Sequence, residues 1–273
     1  MFTVLGASGY IGSHLVTELN KRKLEVWAPS KKSAEIFERD LGTIFYCIGL
    51  TADFRNKRHE TIDAHVSYLS KIMKIAKFDQ IIYLSSTRLY LDQPYGYENG
   101  SFNLNPVHCD EIYNISKLLG ENLVLGSDQE NKVVRLSNVI GPRMGAENFI
   151  GSILNEAINT GSVLFRTPPN FAKDYIWIDD VIDALIMVST EKKNIFNIAS
   201  GTNFTNKQIA LWLNKNGINV KFNTNATSQR FPIINIEKLT KIIKRKPVAG
   251  MKKLFKWAET NEKNFLEIIK KEL

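Results

Sequence analysis

Three side chains in this chain could run proton chemistry together. Tyr113 and Lys117, in Tyr113-Asn114-Ile115-Ser116-Lys117, are four residues apart and so share one face of a helix. Ser86 lies in Ser85-Ser86-Thr87, at the end of the apolar run Gln80–Ser85. A free phenol titrates near ~10, so it needs a neighbouring cation to act as acid or base at neutral pH, and Lys117 would supply that field. A hydroxyl from Ser86 would orient the reacting oxygen. The Tyr-x-x-x-Lys spacing alone proves nothing, because this composition yields about one by chance. Its weight comes from position: it follows a strand end, and ligands bind at that edge of a parallel sheet.

A second group needs no reactive side chain. Gly6-Ala7-Ser8-Gly9-Tyr10-Ile11-Gly12 joins the apolar run Phe2–Leu5 to the helical pattern Ile11–Lys21. A glycine triplet so spaced arises roughly 0.05 times per chain from this composition. Gly6 permits the tight turn, Gly9 lets a dinucleotide pyrophosphate approach the backbone, and Gly12 lets helix and strand pack closely. Ser8, Tyr10 and Ile11 complete the contact, with free N–H groups and the positive end of the helix dipole. A purely structural turn is the alternative. After the run Leu24–Ala28, an NAD site usually places Asp or Glu on the ribose 2′-hydroxyl, whereas this chain has Ala28-Pro29-Ser30-Lys31-Lys32. Ser30 with Lys31 or Lys32 would hold a 2′-phosphate, which favours NADP(H) over NAD, unless these lysines merely lead, solvated, into a helix.

The elements that must position these groups alternate along the chain. Strand-like runs at Phe2–Leu5, Leu24–Ala28, Thr43–Leu50, Gln80–Ser85 and Lys132–Val139 alternate with helical patterns at Ile11–Lys21, Ser33–Arg39, Glu60–Lys77 and Ile112–Leu125. This βαβα rhythm predicts an α/β fold, a doubly wound parallel sheet with helices on both faces. Ile81-Ile82-Tyr83-Leu84 is apolar at consecutive positions, as in a strand covered on both sides. Ile11, Leu15, Val16 and Leu19 repeat on one helix face. Beyond residue 140 the rhythm loosens, with short runs at Tyr175–Ile178 and Ile195–Ile198 that would add a last strand and a smaller lobe.

With these motifs in hand, the sequence resembles the extended short-chain dehydrogenase/reductases, in the nucleotide-sugar epimerase/dehydratase branch, over nearly its whole length. GASGYIG is similar to the family's cofactor loop, YLSSTRLY to its strand carrying the catalytic Ser or Thr, and YNISK to its active-site Tyr and Lys. RLSNVIGPR at 135–143, DYIWIDDV at 174–181 and FNIASG at 196–201 resemble three further segments in the same order. The resemblance implies a Rossmann domain of residues 1–141 and about 172–200, interleaved with a substrate-binding lobe of about 142–171 and 201–273. It implies that Tyr113 is the general acid/base at a sugar oxygen, that Lys117 lowers its pKa and holds the nicotinamide ribose, and that Ser86, with Thr87 as its fallback, bonds the same oxygen. Asn138 would lie near the substrate, and Arg143 or Arg230 would meet a diphosphate unless they make surface ion pairs. A homodimer through the helices near 60–77 and 112–125 is also implied.

Departures from the family pattern narrow the reaction. Nucleotide-sugar 4,6-dehydratases follow the catalytic Thr with an Asp-Glu pair that performs the elimination, whereas Ser86 is followed by Thr87-Arg88. That leaves a C4 epimerase or a 4-ketosugar reductase, beside a reductase of a small non-nucleotide carbonyl compound and a non-catalytic NAD(P)-sensing protein. The dozen residues after Ser30 are too few for the usual helix plus third strand, and Asp40-Leu41 would be its remnant. His65 stands where relatives carry Asn near the nicotinamide, or is a helix-face histidine without catalytic duty. Lys173 precedes Asp174 where Arg is common. Asp179 and Asp180 are expected to cap a helix rather than form a carboxylate site.

Composition bounds the rest. The chain has 273 residues, 44% hydrophobic and 23% charged, with a formal net charge of +8, which excludes disordered and collagen-like classes. Cys47 and Cys109 are too few for a disulfide framework and show no metal-ligand spacing, so two packed thiols and no metal site are expected. No apolar run approaches the ~20 residues of a membrane span and no signal core follows the N-terminus, so a cytoplasmic protein without a membrane partner is expected. The positive excess gathers in residues 233–273, where lysines alternate with Leu239, Ile242, Ile243, Leu254, Phe255 and Trp257. That pattern reads as solvated faces of C-terminal helices rather than a nucleic-acid surface.

Overall fold

The structure, a computed structural model, describes residues 1–31, 33–223 and 230–260; Lys32 and the last thirteen residues of the expected lobe lie outside the described residues. In chain order the elements are β1 (Phe2–Leu5), α1 (Tyr10–Lys21), β2 (Val26–Trp27), β3 (Thr43–Tyr46), α2 (Arg58–Ile62), α3 (Tyr68–Ile75) and β4 (Gln80–Ser86). Then follow α4 (Glu111–Leu125), β5 (Lys132–Leu136), β6 (Asn138–Ile140), α5 (Phe149–Thr160), β7 (Ser162–Phe165), β8 (Ala172–Trp177), α6 (Ile178–Val188) and β9 (Asn194–Ile198). The chain closes with β10 (Asn203–Thr205), α7 (Asn206–Lys215), β11 (Asn219–Phe222), α8 (Glu237–Ile243) and α9 (Gly250–Thr260).

Six strands form one sheet in the order β2-β1-β3-β4-β5-β9, parallel throughout. Consecutive apolar residues feed opposite faces, because side chains alternate along a strand. Val4, Phe45, Ile82 and Val134 enter a core with α1, α6 and the C-terminal elements. Their neighbours Leu5, Ile44, Tyr83 and Val133 enter a second core with Leu69 and Ile72 of α3 and Val124 of α4. The doubly covered parallel sheet expected from Ile81-Ile82-Tyr83-Leu84 is therefore present.

The second βα unit is shortened, as its length implied, to a two-residue strand and a 3₁₀ turn at Ala34–Phe37, and Asp40 forms an isolated bridge with Lys77. Other local expectations are redrawn. The run Lys132–Val139 divides at Ser137, whose N–H bonds Ile198 O at 3.0 Å as β6 leaves the main sheet. β6 then joins β8 and β10 in a three-stranded sheet, while β7 and β11 pair separately, so only the Ile195–Ile198 run extends the large sheet. The long helix expected over Glu60–Lys77 carries a π-helical turn at Asp63–Ser67. Of the thiols, Cys47 is half-buried and Cys109 is exposed, so only one is packed.

Lys241, Lys244, Lys246, Lys252 and Lys256 are exposed, while Leu239, Ile243 and Leu254 are buried, as amphipathic C-terminal helices require. Part of the basic excess has a partner inside the chain. Arg245 reaches Asp180 at 2.5 Å and Lys253 reaches it at 3.4 Å, tying the turn after α8, and α9, to α6. Asp179 and Asp180 occupy the first turn of α6, whose N-cap is Trp177, so they complement the helix dipole without being the cap.

Candidate active site

The glycine loop is shaped by backbone approach. Gly6 has φ +88°, and a Cβ there would stand 2.9 Å from the Cys47 carbonyl carbon, while a Cβ on Gly12 would overlap the Gly6 carbonyl oxygen. Gly9 caps α1 with no side-chain hydrogen bond, so the first N–H groups of the helix are left to a ligand. Ser8 and Gly9 are exposed, and Gly9, Tyr10, Ile11 and Gly12 line one end of a cleft of about 490 Å³. This cradle fits a dinucleotide pyrophosphate. Ser30 and Lys31 are exposed in a turn after β2, away from the cleft lining, and beside them Arg39 stacks over Trp27 at 4.4 Å.

The cleft opens where β1, β3, β4 and β5 end, and Ser86, Thr87, Tyr113, Lys117 and Asn138 all line it. β4 delivers Ser86 as its last residue, and a 3₁₀ turn over Thr87–Tyr90 carries the chain away. The Arg88 N–H donates to Ser86 Oγ at 3.1 Å, which leaves the serine O–H free to donate toward Tyr113. Tyr113 and Lys117 share one face of α4, and both are buried. Burial pushes the Tyr113 phenol up; the Ser86 hydroxyl and then the Arg88 guanidinium pull it back. Lys117 Nζ donates to Leu84 O at 2.7 Å, and burial brings its ammonium down to about 7. The nearest relief for the phenol thus comes from Ser86 and Arg88, a pairing that the i, i+4 spacing of Tyr113 and Lys117 did not disclose.

His65 is fully buried and is not among the lining residues. Its Nε2 accepts from Leu50 N at 3.3 Å, so Nδ1 carries the proton and donates to Ser116 Oγ at 2.9 Å. Ser116 in turn donates to Tyr113 O at 3.0 Å. Burial and the Lys117 charge hold His65 down at about 2, so it stays neutral and fixes the first turns of α4 against the loop after β3. Asn138 donates to Asp174 O at 2.8 Å, tying β6 to β8 at the cleft wall.

Neither arginine expected at a diphosphate lines this cleft. Arg143 is exposed, at φ +60°, and Arg230 lines a separate groove with Tyr95 and Ile233. Lys173 does line the cleft, and it stacks on Phe149 and Phe171 at 4.6 and 5.3 Å. Burial, then the Arg88 charge, brings Lys173 down to about 8. Arg88 and Lys173 are the site cations that motif reading passed over; the departures at positions 88 and 173 were the signal that could have found them. One buried and two half-buried cations, a phenol beside a serine hydroxyl and an anion-binding helix end suit proton transfer at a hydroxyl or carbonyl of an anionic substrate.

The family model described as "NAD dependent epimerase/dehydratase family" matches residues 2–199. The chain is similar to CDP-abequose synthase of Salmonella typhimurium, 24% identical over 241 residues, covering 77% of this chain and 78% of that protein. It is 24% identical over 238 residues to a putative UDP-glucose 4-epimerase of Methanocaldococcus jannaschii, covering 74% and 77%. Among solved structures, MoeE5 in complex with UDP-glucose and NAD superposes with a TM-score of 0.80 at 18% identity, covering 95% of this chain and 99% of that one. MoeE5 has also been solved with UDP-glucuronic acid and NAD. With a match running from β1 through β9, this chain belongs to the NAD-dependent epimerase/dehydratase family.

Proposed function

We propose that this protein transfers hydride at a sugar carbon, C4, of a nucleotide-sugar, as a C4 epimerase or a 4-ketosugar reductase. The carrying observation is that Tyr113, Ser86 and Lys117 meet the uncapped end of α1 in one cleft. The nicotinamide ring, when bound, supplies or accepts the hydride. Gly9 and its neighbours in the loop would hold the pyrophosphate, and Lys117 the nicotinamide ribose. Ser86 donates to the sugar oxygen and fixes it beside Tyr113, which gives up its proton when a ketone is reduced and takes one when an alcohol is oxidised. Lys173, on β8 and stacked on Phe149 at the start of α5, lines the cleft and so suits the substrate diphosphate better than Arg143 and Arg230, which do not line it. Thr87-Arg88 offers no carboxylate to drive an elimination, which disfavours a 4,6-dehydratase.

The cofactor lean remains toward NADP(H), on the exposed Ser30 and Lys31 and on the absence of any Asp or Glu from Ala28 to Lys32. The two interleaved segments, 1–141 with about 172–200 and about 142–171 with 201–273, would divide cofactor from substrate binding. Exposed Ile62, Ile115 and Leu119 on α2 and α4 suit a homodimer, which light scattering would show as twice the 31.1 kDa mass. The reaction is tested by identifying any retained dinucleotide by mass and screening UDP-, CDP-, GDP- and dTDP-sugars by NMR with and without NADPH. Inversion at C4 without net NADPH loss assigns the epimerase; stoichiometric loss with a 4-ketosugar assigns the reductase. Turnover of none of them, or unchanged turnover in Tyr113→Phe, rejects the proposal; the phenol's removal is expected to lower kcat by roughly 10²–10⁴-fold.

A further inference from the structure

Arg88 is a cation in search of an anion. It lines the cleft beside Ser86 and Tyr113 with only 27% of its side chain exposed, and among the described residues no partner reaches its buried Nε. Its nearest carboxylate is Asp110, at 3.8 Å. That carboxylate is already held by Arg55 in a two-pronged pair of 2.6 and 2.5 Å, so its charge is committed elsewhere. The guanidinium also leans on the Phe54 ring at 5.3 Å, the same ring that packs against Tyr113 at 5.2 Å, which fixes Arg88 next to the phenol. Glu147 is the one carboxylate among the lining residues, and it is exposed. Arg88, Lys117 and Lys173 therefore face a cleft with a deficit of negative charge. A largely buried guanidinium whose one carboxylate is 3.8 Å away and shared with Arg55 is incompletely satisfied, and its planar fork matches a carboxylate better than a hydroxyl.

Resting on the nucleotide-sugar reading above, we propose that Arg88 selects a substrate whose sugar bears a carboxylate, a hexuronic acid unit, by pairing with that group beside Tyr113 and Ser86. Lys117 and Lys173 have their own anionic or polar partners in that reading, the ribose and the diphosphate. Arg88 stands against the reacting oxygen, so what it meets is a substituent on the ring next to the reacting carbon. A neutral hydroxymethyl group there would leave the cation unsatisfied; a carboxylate would give it two charge-assisted bonds.

The test is calorimetric titration of the protein, loaded with whichever of NADP(H) or NAD it retains, with UDP-glucuronate, UDP-glucose and UDP, or the same set on whichever carrier the sugar screen selects. The wild type is expected to bind the uronate about tenfold to a hundredfold more tightly than the glucose form, the worth of hydrogen bonds to a charged group. Arg88→Met is expected to abolish that ratio, and Arg88→Lys, which keeps charge without the fork, to retain part of it. Equal affinity of the wild type for the two sugars overturns the proposal, and so does an unchanged ratio in Arg88→Met. An equal loss for all three ligands in Arg88→Met assigns Arg88 to the diphosphate and also overturns it. Should Arg88→Met not fold, the wild-type ratio and Arg88→Lys decide. Turnover of neutral sugars alone sinks the role of Arg88 and spares the nucleotide-sugar reading; no binding on any carrier sinks both.

Discussion

Burial of Lys117 sets its ammonium against its own solvation, and the consequence is measurable. Its folded-state value of about 7 lies below the ordinary 10.5, so between those values the unfolded chain holds a proton that the folded chain has lost. Stability contributed by this site rises with pH across that window, and the full penalty of the buried charge stands at pH 7 and below. Lys117→Met is therefore expected to abolish turnover yet raise stability at pH 7 by about 1 kcal/mol, or ~2–4 °C, a gain that fades toward pH 10. Thermal melts at pH 6, 7 and 9.5 check it; a lower melting temperature at pH 6 than wild type would refute it. His65 follows the same sign lower on the scale, with about 2 folded against 6.5 unfolded. As pH falls below 6.5 the unfolded histidine takes a proton that the folded one refuses, so the chain loses stability. His65→Gln should lose less on going from pH 7 to 4.5. The convergence of Tyr113, Ser86 and Lys117 in one cleft was legible from residue type and position, because each must sit at a strand end or on one helix face. The neutral state of His65 was not, because it follows from total burial and from the Leu50 N–H.

Helices here are placed by glycines as much as by apolar stripes. The Gly6 carbonyl sits where a side chain on Gly12 would go, so Gly12→Ala must push α1 off β1. Its expected effect is a loss on the order of 1–3 kcal/mol from overpacking, with loss of dinucleotide binding, measured by denaturant unfolding and by nucleotide fluorescence. A variant of wild-type stability that still binds the nucleotide would contradict the close approach. Gly120 does the same work for α4, where a Cβ would run into Tyr83 Oη and stand 2.9 Å from His65 O. The first glycine is readable in the sequence because its partner is six residues away, within one loop. The second faces residues from two other elements, and nothing in its own neighbourhood of the chain announces the contact. The same distinction explains β6: Lys132–Val139 has the composition of one strand, and it breaks because Ile198 and β8 compete for its backbone.

At the scale of the molecule, one buried ion pair gathers the parts around the site. Arg135 of β5 meets Glu121 of α4 through bonds of 2.9 and 2.6 Å, and the same guanidinium reaches Tyr90 Oη at 2.8 Å and Glu98 O at 3.1 Å. Ser85, one residue before Ser86, donates to that carboxylate at 2.5 Å. Glu121→Ala would leave Arg135 charged and unpaired at 3% side-chain exposure, so it is expected to lower stability by about 3–5 kcal/mol. Chemical denaturation measures this directly, and a loss under about 1 kcal/mol would show that the pair contributes little. The sequence by itself determined the parallel α/β sheet and the glycine loop, and it singled out Tyr113, Ser86 and Lys117, which the fold gathers in one cleft. Strand and helix periods, the sterics of glycine and the position of a residue at a strand end are properties of neighbouring positions in the chain. Only the tertiary structure decided that β6 and β8 leave the main sheet, that Lys173 rather than Arg143 or Arg230 lines the cleft, and that Arg88 stands beside Tyr113 with its Nε unbonded and its nearest carboxylate shared with Arg55. Those outcomes depend on which distant residues exclude water and compete for charge, and no local pattern carries that information.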